Sequence, residues 1–143
     1  MRPLLFLTSF LFLIFFQACA QPDYLIFGKG GGFSGNVMQY RITHKGKIYK
    51  GSGLVDIRYT LAGKIKRSEA KKVFNEMNSI HESAFHHPGN VYYFIRKVNE
   101  EYTTEYTWGE NGYEVSESIR ILYKNAMNRF SEIHFRTLKK PIE

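Results

Sequence analysis

Apolar and polar residues alternate after residue 36: Met38, Tyr40 and Ile42 fall on one side, Gln39 and Arg41 on the other. A period of two marks a half-buried strand, because successive side chains leave opposite faces of the pleat. His44-Lys45-Gly46-Lys47 then supplies a glycine turn, and Ile48-Tyr49-Lys50 reads as the returning arm of a hairpin. Gly51-Ser52-Gly53 interrupts the pattern. Beyond it, Val55, Ile57, Tyr59 and Leu61 alternate with Asp56, Arg58 and Thr60, which predicts another half-buried strand ending at Ala62-Gly63. Ahead of these elements, Tyr24-Leu25-Ile26-Phe27 is a short unbroken apolar run, expected as a buried first strand.

The period changes at Ser68. Ala70, Val73, Phe74, Met77 and Ile80 recur at helical spacing and predict a helix over about 69–82, with Ser68 as its N-cap. Residues 85–90 are expected as a loop. Residues 91–98 and 102–108 read as a second hairpin around Asn99-Glu100-Glu101, followed by a turn at Gly109-Glu110-Asn111-Gly112. A final helix is expected over about 117–130, capped by Ser116, with Ile119, Leu122, Tyr123, Ala126, Met127 and Phe130 in one stripe. Residues 133–138 either extend that helix or add a strand. The order strands, helix, strands, helix predicts an α+β domain in which an antiparallel sheet of about five or six strands packs against two helices.

The N-terminus has a different character. Arg2 precedes an apolar run over residues 4–16, broken only by Thr8 and Ser9, and then Gln17-Ala18-Cys19-Ala20-Gln21. A basic residue, an apolar stretch and small residues at a cut site form the pattern of a secretory signal peptide. The run is shorter than the roughly 20 residues a membrane-crossing helix needs. Two cleavage sites fit. Ala18-Cys19-Ala20 suits ordinary signal peptidase, which would remove residues 1–20 and leave Gln21 first. Phe16-Gln17-Ala18-Cys19 resembles a bacterial lipobox. That resemblance implies removal of residues 1–18, lipidation of Cys19 and a mature single domain over residues 19–143. Cys19 is the only cysteine of the 143 residues, so under either reading the folded domain holds no disulfide, cysteine nucleophile or zinc–thiolate site.

Five glycines in eight residues, from Gly28 to Gly35, set the candidate chemistry. Gly30-Gly31-Gly32-Phe33-Ser34-Gly35 satisfies the spacing G-x-G-x-x-G. A dinucleotide site needs a helix directly after these glycines, so that its first amides can hold the pyrophosphate. The alternation after residue 36 predicts a strand instead. A kinase would need a catalytic-loop and a metal-binding aspartate, and Asp23 and Asp56 are the only aspartates. The expected structure is therefore a glycine-rich turn at a sheet rim, with exposed backbone able to bind a partner by strand addition. Gly31-Gly32-Phe33-Ser34-Gly35 followed by a β run is similar to the opening of the emfourin-type bacterial inhibitors of thermolysin-like peptidases. The resemblance covers about a dozen residues and implies a small inhibitor of a secreted zinc peptidase.

The remaining chemistry is sparse. The formal charge is +7, and +6 without Arg2, which favours anionic partners, but the lysines are scattered among glutamates and form no stripe for nucleic acid. His81, His86 and His87 near Glu82 lack the i, i+3 or i, i+4 spacing of helical metal pairs, so no metal is expected. Ser34 lacks the flanks of a G-x-S-x-G elbow. Tyr102, Tyr106 and Trp108 form an aromatic file on one side of the second hairpin, suited to sugar rings or a protein partner if that side is open. These features predict an exported, lipid-anchored cell-envelope binding module without a catalytic centre, metal or cofactor. Its partners would be the membrane, through the lipid on Cys19, and an envelope protein or glycan. The candidate binding residues are Gly30, Gly31, Gly32, Phe33, Ser34, Gly35, Tyr102, Tyr106 and Trp108. An inhibitor of a secreted metallopeptidase is the alternative reading, and an unrecognised hydrolase the third.

Overall fold

The computed structural model describes residues 23–109 and 112–139; the expected leader and Cys19 lie outside the described residues. The elements are β1 (Tyr24–Gly31), β2 (Val37–Thr43), β3 (Lys47–Gly53), β4 (Arg58–Lys64), α1 (Arg67–Asn78), β5 (Phe85–His87), β6 (Val91–Val98), β7 (Thr103–Gly109) and α2 (Glu117–Leu138). The fold is α+β in the expected order of strands, helix, strands and helix. All the strands join one seven-stranded sheet in the order β4-β3-β2-β1-β6-β7-β5. The first strand is thus central, hydrogen-bonded to β2 on one side and β6 on the other. Its position explains its unbroken apolar run, for Leu25, Ile26 and Phe27 are buried although they alternate between the two faces.

Both helices pack on the same face of the sheet. Phe27 from β1 and Tyr40 from β2 meet Phe130 of α2 at ring-centroid separations of 5.7 and 6.0 Å. Leu25, Ile42, Ile48 and Ile95 from the sheet and Phe74, Met77, Ile119 and Leu122 from the helices complete this layer. Each such side chain removed from water contributes on the order of 1.5–3 kcal/mol before chain entropy is counted.

Several expectations are corrected. The sheet has seven strands, not five or six, and it is mixed, because residues 85–87 form β5 parallel to β7. Three residues are too few to carry a periodic signal, and β5 exists because β7 offers it an edge. Gly51-Ser52-Gly53 does not break the hairpin but completes β3, where Gly51 faces Tyr59. β4 begins only at Arg58, and Val55 is exposed in the preceding connection. Between the pairs Ile48↔Gly63 and Tyr49↔Leu61, Ala62 is an extra residue on β4. This bulge turns Ala62 into the core and Leu61 outward, so simple alternation fails there. α1 starts two residues earlier than expected and is capped at Lys66 without a side-chain hydrogen bond. Ser116 does stand at the N-cap of α2, but its hydroxyl lies 3.0 Å from that of Ser118 rather than on the helix amides. Residues 133–138 extend α2, with Ile133 buried.

Antiparallel alternation gives the sheet two distinct ends. Asp23, the β2–β3 turn and the β6–β7 turn lie at one end. At the other lie the connections 32–36, 54–57 and 88–90, held together where the Gly32 N–H donates to the Asn90 carbonyl at 2.7 Å. Here the β5–β6 connection crosses the end of β7 so closely that a Cβ at Gly109 would lie 2.0 Å from the Gly89 nitrogen.

Candidate functional site

The glycine segment divides into two parts with different jobs. Gly28 and Gly30 are strand residues of β1, facing Phe94 and Tyr92 across the β6 ladder, and the rings of those two side chains lie over them. Gly31, Gly32 and Gly35 have φ of 90°, 73° and 63°, the left-handed region that residues with a Cβ rarely adopt. The Gly35 N–H donates to the Gly32 carbonyl at 3.1 Å, closing a four-residue turn with Phe33 and Ser34 at its centre. The Ser34 hydroxyl accepts from the Asn36 N–H at 3.4 Å. β2 follows directly, so the glycines precede a strand and no helix N-terminus faces them.

Phe33, at the tip, is fully exposed. The neighbouring β3–β4 connection adds Leu54 and Val55, 69% and 87% exposed. A Cβ at Gly35 would lie 3.6 Å from Leu54 Cδ2, which places the two connections side by side. Three large apolar side chains thus crown this end of the sheet on short connections, that of Phe33 closed by its own hydrogen bond. Neither Leu54 nor Val55 is a candidate binding residue from the sequence, because Leu54 directly follows the glycine break and Val55 falls in an alternation that predicts a half-buried strand.

The aromatic file of the second hairpin sits differently. Its side of the sheet is the one the helices cover. Tyr106 is 2% exposed, packs on Phe85 and donates its hydroxyl to the Glu82 carbonyl at 3.1 Å. Tyr102 is 52% exposed but lies in the β6–β7 turn, at the opposite end from the glycines. The structure therefore brings Gly30 to Gly35 together and leaves Tyr102 and Tyr106 apart from them.

Trp108 stands between these cases. It is 6% exposed, and its ring lies 6.0 Å from that of Tyr93 and 5.2 Å from that of Tyr123. These three rings floor a cleft of about 600 Å³ at the glycine end of the sheet. Glu117, Arg120, Ile121 and Lys124 of α2 overhang it, at spacings that put all four on one side of the helix. Burial, with a smaller effect from Tyr93, pushes the Tyr123 hydroxyl well above the ordinary phenol range, so it remains a neutral O–H.

The helix-free face carries a second aromatic surface. The Arg41 guanidinium lies over the rings of Tyr24, Tyr49 and Tyr59 at 5.3, 4.8 and 4.4 Å. Arg96 covers Phe94 at 4.4 Å and also pairs with Glu105, which accepts from Thr107 and lies 3.5 Å from His86 Nδ1. Burial raises the pKa of Glu105, but the Thr107 and Arg96 hydrogen bonds and the charges of Arg96 and His86 outweigh it and hold the carboxyl below its usual range. Gln39 Oε1, Arg41 Nε and Thr43 Oγ1, at alternate positions of β2, are buried without a hydrogen-bond partner. His87 stacks on Tyr113 at 4.1 Å, away from the Glu105 carboxylate that His86 faces. Among the described residues no three His, Cys, Asp or Glu side chains gather where they could share a metal ion, and no helix is long and apolar enough to cross a membrane.

No family model and no curated protein matches the chain.

Proposed function

We propose that this chain is an exported, lipid-anchored binding module of the bacterial cell envelope that docks a protein partner through the crown of Phe33, Leu54 and Val55 and performs no catalysis. The observation that carries this reading is Phe33, held fully in water by a hydrogen-bonded turn. Covering such a side chain gains about 1.5–3 kcal/mol, and the rigid turn limits the entropy lost on binding. The direction of the crown favours protein over lipid. β1, which lies between Asp23 and the turn, spans seven residue steps from Tyr24 to Gly31, roughly 23 Å at about 3.3 Å per residue. A lipid on Cys19, four residues before Asp23, would hold the opposite end of the sheet toward the membrane.

Photo-crosslinking from inside the envelope tests this. A photoreactive phenylalanine analogue in place of Phe33 should give a discrete protein adduct that Leu54→Ser with Val55→Ser abolishes. The same analogue in place of Tyr102, exposed at the other end, should not give it. Equal adducts from both positions, or none from position 33, would refute the docking crown. Mass spectrometry of the native N-terminus tests the anchor: a diacylglycerol adduct on Cys19 supports it, and a free Gln21 removes it.

The same projecting turn favours a second reading, inhibition of a secreted metallopeptidase by insertion of Phe33 into its cleft. Purified chain assayed against a panel of such peptidases decides it. Inhibition lost in Phe33→Ser supports this reading, and no inhibition at micromolar concentration ends it.

A further inference from the structure

We propose that the cleft floored by Trp108 binds an acidic sugar, independently of the Phe33 crown. Its volume, about 600 Å³, falls within the range of small-ligand sites. Tyr93 and Trp108 are cross-strand neighbours with rings inclined at 34°, and Tyr123 meets the Trp108 ring edge-on at 81°. Inclined aromatic walls of this kind suit the C–H faces of a sugar ring.

The rim supplies the sign of the ligand. Arg120 and Lys124 are exposed cations one turn apart on α2, facing the same opening. Lys29, cross-strand partner of Tyr93 on this face of the sheet, adds a third positive charge nearby. Among the described residues Glu117 is the one acid of the lining, and a carboxylate acceptor suits a ligand rich in hydroxyl or amide donors. An aromatic acid would use the rings and the cations but leave Glu117 opposed to its own charge. A neutral sugar would use the rings and Glu117 but not the cations. An acidic sugar engages all of them. Glu117 and Lys124 are separated along α2 by about 10 Å, which leaves room for two linked rings.

Trp108 is the only tryptophan, so its fluorescence reports on this cleft alone. The full chain in detergent is titrated with a glucuronate-containing disaccharide, with cellobiose and with phenylacetate. We expect a saturable change with the uronate in the low-millimolar range or tighter, and binding about a hundredfold weaker in Arg120→Gln with Lys124→Gln, since each lost charge-assisted hydrogen bond is worth about tenfold. Raising the salt concentration should weaken the uronate alone among the two sugars. Both substituted residues are exposed, but the Arg120 guanidinium also donates to the Val115 carbonyl at 3.2 Å, so urea unfolding of the variant separates lost binding from lost folding, and Lys124→Gln alone should weaken the uronate about tenfold. A flat uronate titration, equal binding of cellobiose, tighter binding of phenylacetate, or an unaffected double variant would each overturn the assignment. Phe33→Ser should leave the titration unaltered, so failure here and failure of the docking crown are read separately.

Discussion

Replacing Gly28 with alanine should destabilise the domain although Gly28 lies in a regular strand. A Cβ there would sit 2.3 Å from Phe94 Cζ, 2.8 Å from Phe94 Cε1 and 2.8 Å from Gln39 Cβ. Carbon atoms in contact prefer about 3.5–4.0 Å, so the ring would have to move by more than about 1 Å. It has nowhere to go: Phe94 is 1% exposed, and Arg96 is stacked on its ring at 4.4 Å. Overpacking of this kind costs about 1–3 kcal/mol, offset by about 0.4–1 kcal/mol from the stiffer unfolded chain, which leaves a net loss of about 1–2 kcal/mol. Urea unfolding followed by Trp108 fluorescence reads this as a midpoint lowered by roughly 1 M, taking a slope of about 1–2 kcal/mol per M. Phe94→Ala should itself cost several kcal/mol, about 3–5 for a fully cored phenylalanine. In that background the Phe94 clash is gone and only the Gln39 contact remains, so the Gly28→Ala cost should fall by at least half. Equal costs in the two backgrounds, or a neutral Gly28→Ala in the natural chain, would refute the account of the glycine as a seat for the ring.

Arg41→Lys keeps the charge but loses the planar group stacked against three tyrosines, and urea unfolding should show a loss of about 1–2 kcal/mol. Glu105 has a depressed pKa in the folded state, so its contribution is fully present above the unfolded carboxylate value and is lost as pH falls through the lower folded value. Glu105→Gln should therefore lower stability at neutral pH and flatten the acid limb of the stability profile measured by urea midpoints. Phe33→Ser touches only an exposed tip, and its midpoint should stay within about 0.5 kcal/mol of the natural chain while the envelope crosslink is lost.

The strands of the two hairpins and both helices were legible because their side-chain periods differ and each runs for seven or more residues. β5 was not legible, because three residues show no period and its only reason to be a strand is the edge of β7. The orientation of the second hairpin was also hidden. Tyr92, Tyr93, Phe94 and Ile95 are apolar or aromatic on both sides, so alternation could not say which side the helices take. Ile95 pairs with Phe27, and that contact turns Tyr106 and Trp108 inward. The truly helix-free face was concealed for the opposite reason: Arg41 falls on the polar side of its strand in the sequence pattern, yet its guanidinium lies over three tyrosine rings, and Arg96 likewise lies over Phe94. Leu54 was lost to the glycine break before it, and Val55 to an alternation that starts too early, for β4 begins only at Arg58. Arg120 and Lys124 resemble any solvated helix stripe until Trp108 is seen beneath them.

The placement of β1 ties these features to function. A strand paired along both edges opens only when the sheet does, so the turn at its end inherits the stability of the core rather than of a loop. In the proposed docking, Phe33 would therefore be presented without the ordering cost that a flexible tip would incur. The row Lys29, Tyr93, Trp108 crosses the sheet one step before that strand gives way to its glycines. Gly31 and Gly32 can turn sharply there because no side chain has to be carried through the left-handed backbone. A Cβ at Gly31 would lie 2.1 Å from the Asn90 carbonyl oxygen, the same oxygen that accepts from the Gly32 N–H. The glycines thus do two things at once: they lift Phe33 clear of the sheet, and they let the turn close against the Asn90 carbonyl beside it.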